Sequence, residues 1–176
     1  IKVYFNDYFN SYDNSGHKIE QKGSNGSFSI NGDAVPSSSF DSFYDIKGNL
    51  IKSTYTTFNN GKEFSISEID YSYDNNGHKV TDLSNYSRFN FSGTKIPVDI
   101  TSNDYDAIGN LIKSNHTYYD SNGNKFRLHN SNYTYNSSNH LIKENGSELN
   151  FNSSDTTKYI SEKTYSDFMN GNGCRI

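Results

Sequence analysis

The chain repeats itself, and the repeat is built around a turn. A unit of the form aromatic, Asp or Asn, two variable residues, Gly, two variable residues, aliphatic recurs about every 16 residues. Copies read YDNSGHKI from Tyr12, FSINGDAV from Phe28, YDIKGNLI from Tyr44, YDNNGHKV from Tyr73, FNFSGTKI from Phe89, YDAIGNLI from Tyr105 and YDSNGNKF from Tyr119. Weaker copies are TFNNGKEF, YNSSNHLI and FNSSDTTK. The turn column runs Gly16, Gly32, Gly48, Gly61, Gly77, Gly93, Gly109, Gly123, Asn139, Asp155 and Gly171, and the nine glycines in it are the expected structural turn residues.

A second period lies over the first. SYDNSGHK and SYDNNGHK stand 61 residues apart, as do Pro36 and Pro97, and Tyr44 and Tyr105. Four units therefore make one higher-order repeat. The expected organisation is a single repeat domain over 1–176, with a partial super-repeat at 1–43, copies at 44–104 and 105–166, and a partial one at 167–176.

Asp followed by two residues and Gly suits a type I turn whose glycine takes the left-handed conformation, the three-residue hairpin with a G1 bulge. Closing each hairpin this way puts Tyr12, Phe28, Tyr44, Tyr73, Phe89, Tyr105, Tyr119, Tyr135 and Phe151 on one face. Ile19, Val35, Ile51, Phe64, Val80, Ile96, Ile112, Phe126 and Ile142 join them there. The opposite face takes Ser and Thr together with Lys18, Glu63, Lys79, Lys95 and Lys125. The expected fold is all-β: tandem antiparallel hairpins, about twenty short strands, aromatic face inward. Such a sheet is expected to form a curved meander, a spiral or a closed barrel-like sheet, to fold into two layers, or to meet another chain. A β-solenoid with one coil per repeat is the alternative.

Composition agrees with a sheet and argues against a helical aliphatic core. Only 31% of residues are apolar, and Tyr (15) and Phe (12) dominate that class. A net charge of −4 with 15% aromatics argues against a self-repelling disordered chain. No run of about 20 apolar residues could span a bilayer as a helix, and no basic run could neutralise phosphates. Neither a membrane span nor a nucleic-acid partner is expected. The chain begins at Ile1 without an initiator Met or a signal-type apolar segment, as expected of a mature product or a fragment.

The YDxxGNLI string, with a tyrosine two residues earlier in YSYD (Tyr71, Tyr73) and YTYN (Tyr133, Tyr135), resembles the YD repeats of Rhs-like bacterial secreted or surface proteins. The resemblance covers nearly the whole chain. It implies a curved antiparallel sheet of hairpins, an extracellular or cell-surface location and a structural, adhesive or binding role. It carries no catalytic residues onto this chain.

Candidate chemistry is sparse. His17, His78 and His140 share a column after the turn and are expected to be exposed turn residues several hairpins apart. Asp120, Asn122 and Asn124 mimic half of an EF-hand loop without its bidentate Glu, so no metal and no cofactor are expected. Glu63 and Glu68 read as solvated strand charges rather than a catalytic pair, and no catalytic residue is assigned. Cys174 is the lone cysteine, expected either to pack or to form an interchain disulfide. Tyr55, Tyr86, Tyr118 and Tyr159 are the tyrosines to consider for stacking on sugars, although the turn phase places Tyr55 inward. The N-x-S/T sequons, among them Asn85, Asn115 and Asn132, follow from the abundance of Asn and Ser.

The expected function is a non-enzymatic extracellular structural or adhesive repeat protein, with a carbohydrate-binding, lectin-like module as the alternative. Self-association is expected through terminal edge strands, Ile1 to Phe5 of one chain pairing with Cys174 to Ile176 of another. That contact would propagate head to tail as a filament.

Overall fold

A computed structural model describes residues 3–152 and 155–164. Within them the chain forms one antiparallel sheet of eleven strands: β1 (Tyr4–Tyr12), β2 (Lys18–Phe28), β3 (Ala34–Tyr44), β4 (Leu50–Asn59), β5 (Lys62–Tyr73), β6 (Lys79–Phe89), β7 (Lys95–Tyr105), β8 (Leu111–Tyr119), β9 (Lys125–Tyr135), β10 (Leu141–Asn152) and β11 (Asp155–Thr164). Their order in space is their order in sequence. The sheet is curved and open: β1 meets only β2, β11 only β10, so no barrel closes and no parallel solenoid coil exists. There are eleven strands rather than about twenty because each strand serves two successive hairpins, one at either end. Gly171 and Cys174 lie outside the described residues.

The turns form as the spacing predicts. Gly16, Gly32, Gly48, Gly61, Gly77, Gly93, Gly109 and Gly123 all have positive φ, and Asn139 takes the same conformation with φ 65°. In the first hairpin the Gly16 N–H donates to the Asp13 carbonyl at 3.1 Å, and the Asp13 N–H donates to the His17 carbonyl at 2.9 Å. The turn between β4 and β5 is shorter, with Asn60 (φ 51°) and Gly61 (φ 75°) both left-handed, as in a two-residue type I′ turn.

The facing of the side chains departs from expectation, and the reason is a second bulge. Beyond the turn, Tyr12 pairs with Lys18 but Ser11 pairs with Glu20, so Ile19 is an extra residue without a partner. The same residue is extra in five further hairpins: Ile51, Phe64, Val80, Ile112 and Phe126. Ile142 is likewise extra between β9 and β10. In the β2–β3 and β6–β7 hairpins the extra residue is displaced to Ser37 and Val98, each directly after a proline that cannot donate to the ladder. Each bulge reverses the in–out alternation once per strand. Successive turn aromatics therefore fall on opposite faces rather than on one. Tyr12, Tyr44, Tyr73, Tyr105 and Tyr135 share the first face, and Phe28, Phe58, Phe89, Tyr119 and Phe151 the second.

Following the register across the sheet sorts the aromatics by type. Every tyrosine of the described strands except Tyr119 lies on the first face, and every ladder-paired phenylalanine except Phe40 lies on the other. We call these the tyrosine and phenylalanine faces. Lys18 and Lys79, expected on the polar side, stand on the tyrosine face opposite Tyr12 and Tyr73.

No inward face exists. Among the described residues no hydrophobic side chain is buried, and the buried ones are polar: Ser38, Thr56, Ser65, Asp82, Ser87 and Ser131. Cohesion comes from the backbone ladders and from side-chain pairs across strands. Two substitutions separate this architecture from one with an apolar core. Ile112 is 39% exposed, so Ile112→Asp is expected to cost no more than about 1 kcal/mol, the scale of a surface cross-strand pair. At Gly26 an added Cβ would stand 2.2 Å from the Val35 carbonyl oxygen and 2.7 Å from the Phe5 ring. Gly26→Ala should therefore destabilise by roughly 1–3 kcal/mol. Urea denaturation of both variants checks the order; a larger loss for Ile112→Asp would contradict it.

Candidate functional site

Each turn is clasped by its first residue. Asp13 Oδ1 accepts from the backbone N–H groups of Ser15 (2.8 Å) and His17 (2.9 Å), and Asp13 Oδ2 meets His17 Nδ1 at 3.0 Å. Asp74 does the same with Asn76, His78 and the His78 ring (2.8, 2.9 and 3.2 Å). Asp45 and Asp106 use Asn49 and Asn110 in place of histidine. Asp120 binds the N–H groups of Asn122 and Asn124 and the Asn124 side-chain amide. The half EF-hand pattern is therefore turn chemistry. His17 and His78 serve turns four strands apart, and His140 stands in a further one, its N–H donating to Asn136 at 2.9 Å. The histidine column is not assembled into a site, and no cluster of three or more metal-ligating side chains occurs among the described residues.

On the tyrosine face the turn tyrosines bind each hairpin to the one before it. Tyr73 and Tyr135 donate their hydroxyls to the Leu50 and Leu111 carbonyls at 2.9 and 3.1 Å. Tyr44 donates to Gln21 at 3.3 Å, and Tyr105 to Asp82 at 2.8 Å. Over these last two rings sit Lys18 and Lys79, each 4.1 Å from the ring centroid. The second is a tighter version of the first, because Asp82 replaces Gln21 at the 61-residue offset. Asp82 receives Lys79 at 2.8 Å, Tyr105, and the Asn103 amide at 2.9 Å. Burial raises the Asp82 carboxyl, but these three donors overcome it and hold it below the usual aspartate range. Burial likewise works against the charge on Lys79, and its bonds to Asp82 and Tyr105 keep its affinity for a proton above the ordinary lysine value. Lys79, Asn103 and Tyr105 all converge on the Asp82 carboxylate, an arrangement that suits a strand clamp.

Between the turns a straight row crosses the tyrosine face: Tyr8, Gly23, Phe40, Tyr55, Ser67, Tyr86, Asp99, Tyr118, Arg127. Three of the four tyrosines considered from the sequence, Tyr55, Tyr86 and Tyr118, fall in it. Tyr159 sits on the same face, opposite Glu148, and is 60% exposed. Tyr8 and Phe40 were not recognisable from the repeat. They occupy a different column from Tyr55, Tyr86 or Tyr118, and the alignment appears only once the bulges are placed. Tyr8 and Phe40 meet over Gly23 with ring centroids 5.5 Å apart. At the far end Tyr118 is enclosed, with His116 stacked at 3.9 Å and Arg127 at 4.0 Å.

The phenylalanine face behind the first part of this row carries an open concavity of about 480 Å³ bordered by Asp7, Phe9, Lys22, Asp41, Thr54 and Thr56. Lys22 bridges Glu20 and Asp41 there at 2.8 and 3.5 Å. Glu63 pairs with Phe58 on this face and Glu68 with Thr54, and Glu68 forms an ion pair with Lys95. The two glutamates do not converge on a reacting position.

No family model matches the chain, and no curated protein matches it. A solved structure of a protein of unknown function from Bacteroides fragilis is similar over 72% of this chain and 91% of its own, with 14% identity and a TM-score of 0.39.

The clasped carboxylates set a pH dependence. Asp13, Asp74 and Asp120 are held below the usual aspartate range chiefly by backbone N–H donors, and Asp45 and Asp106 chiefly by the Asn49 and Asn110 amides. A carboxyl depressed by folding stabilises the sheet above its unfolded pKa, and this contribution disappears as pH falls through the folded value. The urea midpoint is expected to hold near neutrality and to drop below about pH 4. Asp74→Asn, which mimics the turn at Asn136, should weaken that drop; an unchanged profile would mean the clasps do not govern it.

Proposed function

We propose that this chain is a non-enzymatic extracellular structural or adhesive repeat protein of the YD-repeat kind. The reading is supported by a two-sided sheet whose polar chemistry is engaged in turns and strand clamps, and whose two surfaces differ in aromatic type. Tyrosine carries a hydroxyl that water can satisfy, and phenylalanine does not. The tyrosine face suits contact with polar material, and the phenylalanine face suits apposition to another surface. Antibody labelling and protease shaving of intact source cells test the location. Protein found only in the cytosol would contradict it.

Carbohydrate binding is the second reading, favoured by the aromatic row crossing the tyrosine face. A glycan array separates the two roles, since a structural protein needs no saturable sugar.

Self-association belongs to the first reading, and the head-to-tail contact expected from the sequence uses Cys174 to Ile176, which lie outside the described residues. Within the described sheet the outermost strands, β1 and β11, run in the same direction, so these two would meet only as a parallel pair. Two copies meeting at β1 about a two-fold axis would instead extend the antiparallel ladder. Light scattering is expected to show a concentration-dependent dimer; long polymers would favour the head-to-tail filament.

A further inference from the structure

The aromatic row is not uniform along its length. From β1 to β4 the tyrosine face carries Tyr8, Gly23, Phe40 and Tyr55, with Tyr8 63% and Tyr55 48% exposed. One side of this stretch is flanked by Asn6, Asn25, Ser38 and Thr57, and the other by Asn10, Gln21, Ser42 and Ser53. All twelve residues are uncharged. The charges of these strands lie elsewhere: Asp7, Glu20, Lys22, Asp41 and Lys52 on the phenylalanine face, and Lys18 at the turn end over Tyr44. From β6 onward the same face is charged, with Asp82, Arg88, Asp99, Arg127 and Glu148, and both sides of the Tyr118 ring are already occupied.

Repetition does not explain the uncharged stretch. At the 61-residue offset, Gly23, Phe40 and Tyr55 correspond to Ser84, Thr101 and His116. Gly23 has a specific part in it. A Cβ there would stand 2.3 Å from the Phe40 ring, so only glycine lets that ring lie over the strand toward Tyr8.

The geometry points to a binding platform for a neutral, extended polysaccharide on the tyrosine face of β1–β4. This rests on the carbohydrate reading above and narrows it in place and in ligand chemistry. Tyr8, Phe40 and Tyr55 supply apolar surfaces for the C–H faces of successive pyranose rings, over a span of three strand spacings, about 14 Å. The exposed amides of Asn6, Asn10 and Asn25 are placed to donate to and accept from hydroxyls on both sides. An acidic glycan finds no cation to pair with in this stretch, so the ligand is an uncharged one.

Affinity electrophoresis through gels containing hydroxyethyl cellulose, galactomannan or dextran, with heparin as the acidic comparison, tests this. At least one neutral polymer is expected to retard the protein. Retardation should persist at about 0.5 M NaCl, where exposed charges are screened within a few ångströms. Tyr8→Ala and Tyr55→Ala should each weaken binding by about tenfold, whereas Tyr8→Phe, Tyr55→Phe and the opposite-face Phe43→Ala should not. Circular dichroism of each variant guards against unfolding, and the ring-conserving variants keep the test decisive if an alanine variant fails to fold. Retardation by a neutral polymer that ignores both alanine variants overturns the platform but not carbohydrate binding. Retention by heparin alone, lost with salt and with Arg127→Ala, moves the ligand to the charged half. No retention by any polymer removes both ideas and leaves the structural role standing.

Discussion

The sheet depends on one repeated interaction, a turn carboxylate or amide oxygen that accepts two backbone N–H groups at once. Without an apolar core, little else forces the chain to reverse at fixed intervals. Asp13, Asp45, Asp74, Asp106 and Asp120 do so with one oxygen, and all five use the other to hold the side chain that follows the glycine. Ser29, Asn90 and Asn136 perform the backbone part with a hydroxyl or an amide. Because the hydrogen bonds are local, each of these eight reversals is specified by five residues and needs no help from distant ones.

From that constraint the rest follows by counting. A turn fixes which residues begin the ladder, and a bulge a few residues later decides which side the remainder of the strand faces. One bulge per strand sends aromatics near one end of the sheet to the opposite surface from those near the other end. The bulges recur at the 61-residue offset through the first eight hairpins, β1 to β9: at Ser11 and Ser72, Asn25 and Tyr86, Phe43 and Asp104, Thr57 and Tyr118. The higher-order period in the sequence is thus a period in backbone geometry as well as in residue identity.

The turns, the all-β class and the two nested periods were readable from the residues, because Asp-x-x-Gly fixes local backbone torsions. The facing was not. A bulge at Ile19 or Ile112 leaves no mark in residue type, since isoleucine is equally at home in a regular strand. Only the displaced bulges, after Pro36 and Pro97, had a visible cause. The expectation of a buried aromatic face therefore rested on an unbroken pleat. The same unbroken pleat would turn Tyr55 inward, whereas it is 48% exposed and joins Tyr8 and Phe40. The clamp at Asp82 is half visible in the sequence as the change from Gln21, but its meaning appears only when Tyr105 and Asn103 arrive from the next strand.

Each strand touches only the strands before and after it in the chain. Energetically such a molecule is one-dimensional, a row of links with nearest-neighbour couplings. Opening begins at the outer links and works inward, so protection against amide exchange should grade from the margins to the middle strands. The contact pattern also makes the length of the sheet adjustable. A block of four strands could be inserted or removed between equivalent bulges while every surviving link keeps its partners. Growth by duplication then changes reach and valency without changing the local structure that carries them.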